Sequence, residues 1–428
     1  MPDRNSQGVR PRLLLIAAPN SYRTVAYLEA ARRHGVDVLV ASEGKYSLVG
    51  EIAAGLHIDL SDPDSLALLL QASREHPFDG VVATDDTTVE LASRIGQALD
   101  LPHNPPQAAK LSHYKHLSRQ ALADAHTDTG VRVPAFRIIN LSEEIAPQLD
   151  GFVMPCVVKP LALSGSRGVI RADTPQQVQV ACKRIQSILA AESVADSWLK
   201  AHVLVEEFIA GPEVAVEGLL YQGKLDVLAI FDKPDPLEGP FFEETYYITP
   251  SRHEQDVQQQ VKQCVRSACA GLGLREGPIH AEVRLADSGC VIIEVASRTI
   301  GGECARLLGF GTGHNLEDLV ICHAVGRSLP VEPRAGAAGV LMIPIPQAGI
   351  LRRIEGITAA RAVPFIEDIL ISIRDGYELV PLPEGNSYLG FMFACAPSSA
   401  EVEAALREAH AELEIVIAPL MRLKDQRV

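Results

Sequence analysis

The first hundred residues alternate short apolar runs with amphipathic segments, and no other feature restricts the fold of this chain so tightly. Leu13 to Ala18, Asp37 to Ala41, Leu56 to Leu60 and Gly80 to Ala83 read as strands, and the stretches after Asn20, Asp62 and Asp86 read as helices. Asp62-Pro63 sets an N-cap before a proline at the first helical position, with Leu66, Leu69 and Leu70 as the buried stripe. His34-Gly35 closes the preceding helix. Strands that alternate with helices imply a parallel sheet with helices on its faces.

The pattern breaks at Leu101 to Pro106, L-P-H-N-P-P, and a helix carrying Lys115, Arg119 and Leu122 follows. From Val133 to Val295 strands dominate, with two long helices among them near Pro175 to Ala191 and Glu254 to Gly271. After about Pro330, strand-turn segments rich in glycine and proline end in a helix, Glu401 to Leu413. The expected organisation is α/β over 1–110, α+β over 111–330 with a hairpin flap at about 133–205, and a small C-terminal α+β module over 331–428.

Charge and composition remove several classes of function. Asp plus Glu number 54 against 39 Lys plus Arg, a net charge of −15 without long runs of one sign, so nucleic acid and anionic membranes are not expected partners. No apolar stretch approaches the ~18 residues of a membrane span. Arg4, Arg10 and Arg12 precede an apolar run shorter than the ~7 to 15 residues of a signal peptide, so a disordered tail and a cytoplasmic protein are expected. The eight cysteines form no C-x-x-C pair, which argues against a zinc site or a disulfide framework. G-K-S and G-K-T are absent, excluding a P-loop. Gly271-Leu272-Gly273 and Gly309-Phe310-Gly311 lack the spacing and the preceding strand of a dinucleotide fingerprint.

Three segments carry chemistry. In Cys156 to Ala172, a strand ends in Lys159 and a loop of Ser164-Gly165-Ser166-Arg167-Gly168 leads into a second strand. Such small residues let backbone N–H groups approach phosphate oxygens, and the lysine adds a point charge; an ordinary glycine-containing hairpin reads the same way. In Val203 to Glu217 a strand enters Glu206, turns through Gly211-Pro212 and restarts at Glu213. Backbone groups at Phe208 and Ile209 could meet an adenine edge and Glu213 a ribose, although two strands and a turn need no ligand.

The third segment is Ile279 to Val295. Asp287-Ser288-Gly289 fits a three-residue hairpin loop, which opposes Ala286 to Cys290 and so Glu282 to Glu294. His280, Arg284 and Arg298 fall on the same face, while Val283, Leu285, Val291 and Ile293 point to the core. Like charges directly opposite on a sheet are destabilising unless compensated, and Mg²⁺ with substrate phosphates is the obvious compensation. A solvent-exposed polar face, or a loop of another length that separates the pair, is the structural alternative.

In this order the motifs resemble the ATP-grasp superfamily over most of the chain: Lys115-x-x-x-Arg119-x-x-Leu122, then V-V-K-P with its Gly-Ser loop, V-E-E-F-I-A-G-P-E, H-A-E-V-R and I-E-V-A-S-R-T-I-G-G. The resemblance implies an N-terminal preATP-grasp domain, a central two-subdomain nucleotide clamp and ATP with Mg²⁺, Mn²⁺ being the alternative ion. It also implies a carboxylate that attacks the ATP γ-phosphate and an acyl phosphate then displaced by an amine. Carried over, Lys115, Lys159, Ser164, Gly165, Ser166 and Gly168 meet phosphates, Glu206, Phe208 and Ile209 the adenine, and Glu213 the ribose. Glu282 and Glu294 bind Mg²⁺, Arg298 stabilises the acyl phosphate, and Lys233 is a candidate for the terminal phosphate. Many members read E-x-N-x-R where this chain has Glu294 to Arg298 with Ala296, which cannot ligate a second metal.

The Ile300-Gly301-Gly302 turn and the C-terminal module look most like the amino-acid ligase branch, which implies small carboxylate and amine substrates and a homodimer. Pocket-lining side chains in that branch sit on 241–252 and 299–308, and His253 and His314 are candidate bases. The alternatives are a bicarbonate-phosphorylating enzyme, for which the chain has no A-M-K-M biotin-attachment motif, and a nucleotide sensor without turnover, for which Ala296 is the argument.

Overall fold

Leu13 to Ile16 are all fully buried, on both faces of their strand, as the central strand of a helix-covered parallel sheet must be. A computed structural model describes residues 10–19, 21–43, 54–60, 62, 64–192, 196–331 and 335–420. Its first four strands are β1 (Arg12–Ala17), β2 (Asp37–Ser42), β3 (Ala54–His57) and β4 (Gly80–Ala83). They form a parallel sheet in the order β3-β2-β1-β4, the α/β unit expected from the alternation. The helix expected after Asp62 begins at Ser65, with Asp64 at the N-cap position, and Pro63 lies outside the described residues, as does most of the expected N-terminal tail. The segment after β4 turns first through a 3₁₀ element, Asp86–Thr88, before the helix Val89–Ala98.

Four strands then build a second, antiparallel sheet: β5 (Phe136–Asn140), β6 (Cys156–Pro160), β7 (Ile170–Ala172) and β8 (His202–Glu207), in the order β5-β8-β6-β7. The pairing of Cys156 with Ala172 and Val158 with Ile170 makes β6 and β7 the hairpin that the Gly-Ser segment predicts. Helix Pro175–Ala191 buries Val178, Ala181, Cys182, Ile185 and Leu189 against this sheet, with Thr174 capping its first turn through the Gln177 amide.

The remaining strands are β9 (Glu213–Tyr221), β10 (Lys224–Lys233), β11 (Tyr246–Thr249), β12 (Gly277–Ala286), β13 (Gly289–Ala296), β14 (Ala337–Ile343), β15 (Gly349–Glu355), β16 (Ile366–Ile371), β17 (Glu378–Leu379), β18 (Gly390–Ala396) and β19 (Glu414–Ala418). Eight of them form one sheet, β13-β12-β9-β10-β11-β14-β18-β16, and β17-β15-β19 form a small one. The C-terminal module is therefore not a separate layer: β14, β18 and β16 extend the sheet begun by β9 to β13, and the boundary drawn near 330 runs through it. Helix Gln255–Leu272 covers one face of that sheet through Val261, Val265, Ala268 and Leu272, leaving the polar residues of β9, β10 and β12 on the other. Among the described residues no helix is long and apolar enough to cross a membrane.

Candidate active site

The polar face of the eight-stranded sheet and the hairpin sheet enclose a cavity of about 560 Å³, whose walls also include Tyr22, Arg23 and Asp85 from the N-terminal unit and Tyr388 from the C-terminal module. Lys159, Ser164, Gly165, Ser166, Phe208 and Ile209 line one end, and Arg298, Ile300 and Gly301 the other. Gly168 does not line the cavity; its amide donates to the Pro383 carbonyl at 2.9 Å, tying the flap to the C-terminal module.

At the first of these ends Lys159 lies on β6 and Glu206 on the neighbouring β8. Lys159 Nζ is 2.6 Å from Glu206, whose other oxygen accepts from Arg119. Burial by itself would raise the Glu206 carboxyl, but Arg119 and Lys159 outweigh it and hold the group at about 2. Glu206, expected at the adenine, has one oxygen engaged by Lys159 and the other by Arg119. The Phe208 ring lies under the Arg171 guanidinium at 4.3 Å and beside Phe242. Lys115 Nζ donates to the Leu163 carbonyl of the flap at 3.0 Å and sits 3.5 Å from Glu294.

The structure brings Glu282 opposite Glu294, but not through the loop expected. Ala286 pairs with Gly289, so the hairpin loop is the two residues Asp287 and Ser288, and a bulge at Ile293 restores the carboxylate pair. The bulge also changes which side chains face inward: Ile292 enters the core in place of Ile293, which lines the cavity. Two departures from the expected register cancel at the functional pair.

Neighbouring strands place a charged ladder next to it, with Glu213 opposed to Lys233 on one side and to Arg284 on the other. Lys233 Nζ contacts Glu213 at 2.8 Å, Glu244 at 2.6 Å and Glu282 at 3.0 Å, and Arg284 Nε donates to Glu213 at 2.7 Å. Glu213, expected at the ribose, has both oxygens engaged by these cations. Burial opposes the charge on Lys233, but the three carboxylates hold its amine well above the usual range. Ligand oxygens of Glu213, Glu244 and Glu282 lie within 4.8 Å of one another, the one such group of three or more found among the described residues. A donor set of carboxylates alone suits a hard divalent cation such as Mg²⁺. Behind it, His280 Nδ1 is 2.5 Å from Glu217, whose second oxygen accepts from the Ile300 amide.

At the other end, Arg298 grips Asp86 with Nε and Nη2 at 3.0 Å, and Arg23 Nη1 meets Asp85 at 2.6 Å. Burial works against the Asp86 charge, but Arg298 lowers its carboxyl below the usual range. Asp85 and Asp86 follow β4 after Thr84, at the C-terminal edge of a parallel sheet, where such folds gather ligand groups. That edge was the available signal for Asp85 and Asp86; Tyr22, Arg23 and Glu244 have no motif of their own. Of the expected pocket stretches, Phe242, Glu244, Tyr247 and 300–303 do line the cavity. His253 and His314 do not, whereas His280 does.

A nucleotide-sized cleft between an antiparallel hairpin sheet and a larger sheet, with a flap lysine on one side and paired carboxylates on the other, defines an ATP-grasp enzyme. Residues 28–103 match the ATP-grasp N-terminal domain, 152–306 the ATP-grasp domain and 341–418 the L-amino acid ligase C-terminal domain 2. The crystal structure of an L-amino acid ligase from Bacillus licheniformis superposes with a TM-score of 0.78 at 26% identity, covering 96% of this chain and 100% of that one. An uncharacterized protein, y4rH, of Sinorhizobium fredii is 27% identical over 94% of this chain and 82% of its own length. Human carnosine synthase 1 is 26% identical over 76% of this chain, which spans only 41% of that enzyme. The chain belongs to the ATP-grasp superfamily of ligases, in the branch that carries the L-amino acid ligase C-terminal domain.

Proposed function

We propose that this chain is an ATP-dependent, ADP-forming carboxylate–amine ligase that joins small amino-acid-like substrates through an amide bond. The observation that carries the reading is the single cavity that runs from Lys159 and Phe208 to Arg298 and Tyr388. Nucleotide phosphates and a carboxylate can meet in it. The ligase relatives support the same chemistry.

Lys115 and Lys159 hold the phosphates, the latter preset by Glu206, while Ser164 to Ser166 offer backbone N–H groups and Phe208 and Ile209 receive the base. Glu282 and Glu294 would hold a divalent cation, and Glu244, grouped with Glu282 and Glu213 around Lys233, is a further carboxylate at that site. When bound, Mg²⁺ supplies neutralisation of the charge that the carboxylates and phosphates share. An oxygen of the substrate carboxylate attacks the γ-phosphorus, the bond to ADP breaks, and an acyl phosphate results. The nitrogen of a neutral amine then attacks the acyl carbon, phosphate leaves, and the nitrogen loses one proton. Arg298 stands where charge develops on the acyl oxygen, a role typically worth a few kcal/mol.

The test is a screen of amino-acid pairs with Mg²⁺-ATP, following ADP and the amide product by mass. ADP and amide appearing in equal amounts is the expected result. ADP formed with bicarbonate and no amine, or no turnover with any pair, would contradict it.

A further inference from the structure

Resting on that ligase reading, we propose that Glu303 is a specificity-determining residue that recognises an ammonium group on one of the two amino-acid substrates. Three observations meet at this position. Glu303 lines the cavity, half-buried, on the turn that follows Arg298. Its backbone is left-handed, with φ of 58°, an arrangement that costs a non-glycine residue free energy. Five non-glycine residues among those described have positive φ, and two of them, Ser166 and Glu303, line this cavity. Backbone outliers of this kind cluster at ligand sites.

The turn is held from both sides. The Tyr22 hydroxyl accepts from the Gly302 amide at 2.9 Å, on the side of the N-terminal unit. On the other side a Cβ at Gly302 would lie 2.3 Å from Met342 Sδ on β14. The direction of Glu303 is thereby set by the packing of two distant segments and not by the residues beside it.

The other charged side chains that line this end are paired. Arg298 pairs with Asp86, Arg23 with Asp85, and Glu244 with Lys233. Among the described residues the Glu303 carboxylate has neither a hydrogen bond nor an ion pair. An unpaired carboxylate facing a partly enclosed cavity lacks a cationic hydrogen-bond donor, and an ammonium supplies one. The Tyr388 and Phe391 rings line the same cavity and offer faces that favour a cation, while the Tyr22 ring already lies under the Arg23 guanidinium at 4.8 Å.

Two groups have this chemistry: the α-ammonium of the substrate whose carboxylate is activated, and a cationic side chain on the amine substrate. Steady-state kinetics on the full chain with Glu303→Gln tests the assignment, with Glu303→Asp as the charge-conserving control. Loss of a charge-assisted bond should raise KM for the ammonium-bearing substrate tenfold or more, leaving KM for ATP and kcat at saturation within about twofold. Glu303→Asp should recover part of the loss. In one arm the activated substrate is replaced by its des-amino analogue, in the other the amine substrate by one with a neutral side chain. The arm in which Glu303→Gln no longer matters names the group. If wild type makes amide and Glu303→Gln keeps its KM for every substrate, this inference is overturned and the ligase reading stands. If wild type makes no amide from any pair, both fall.

Discussion

The end of the cavity proposed for the nucleotide takes Lys159, Ser164 to Ser166, Glu206, Phe208 and Ile209 from a short span of chain, on adjacent strands of one sheet and the loops that continue them. The substrate end takes Tyr22, Arg23 and Asp85 from the first unit, Arg298 to Glu303 from the turn after β13, and Met342 and Tyr388 from the C-terminal module. A site built within one sheet inherits its geometry from backbone pairing, as Lys159 and Glu206 do through β6 and β8. A site built from three segments depends on how those segments pack. The first arrangement suits a ligand that stays the same and the second a ligand that varies.

If this contrast holds, substitutions at one end should leave the other untouched. The largest effect is expected for Lys159→Ala, which should weaken ATP binding about a hundredfold by calorimetry, since a phosphate loses a point charge in a partly enclosed site. Amino-acid KM measured at saturating ATP should hardly change. Of similar size is the acid sensitivity that Glu206 confers. Its carboxyl is at about 2 in the folded protein against an ordinary 4.5, so its stabilisation is complete above 4.5 and is lost as pH falls towards 2. That shift is worth about 3 kcal/mol. Denaturation profiles of wild type and Glu206→Gln should differ in slope over that window and run parallel above it.

At the substrate end, Asp86→Asn frees Arg298 from its bidentate partner, and KM for the amino-acid substrate should shift about tenfold with ATP affinity unchanged. An equal change in ATP affinity would mean that the two ends are one unit. The smallest effect is expected for Gly302→Ala. Its φ of 64° and the contact with Met342 Sδ should cost about 1 kcal/mol of stability in denaturant titrations, with ATP binding intact.

The same contrast decides what could be read from sequence. Lys159, Glu206 and Glu213 lie in contiguous strand-loop-strand segments, so periodicity and glycine placement reveal them. The Glu282–Glu294 pair was legible as well, although the loop was shorter than expected and a bulge at Ile293 made up the difference. Strand periodicity carries no signal for a bulge. Nor does it show that β14, β18 and β16 continue the sheet of β9, because the chain runs through helices Ala305–Thr312 and Leu316–Ala324 before returning to it. Glu244 falls in the expected pocket stretch without a motif that singles it out, and Tyr22 becomes a site residue only through long-range packing. The ion-pair partners of Glu206 and Glu213 were not legible for a related reason: a motif gives a position, and the partners of a carboxylate come from other elements.

The most direct test of the account is Glu282→Gln, with turnover and melting temperature measured with and without Mg²⁺-ATP. Glu282 shares Lys233 with Glu213 and Glu244 and stands opposite Glu294. The account predicts that turnover falls to background and that the stabilisation Mg²⁺-ATP gives the wild type by mass action is lost. The apo protein should stay folded but melt below wild type: burial opposes the Glu282 charge, yet Lys233 holds the carboxyl well below the usual carboxylate range, and Lys233 keeps Glu213 and Glu244 as partners when that charge is removed. Near wild-type turnover with saturating Mg²⁺-ATP would contradict the metal site, and with it the mechanism proposed for this chain.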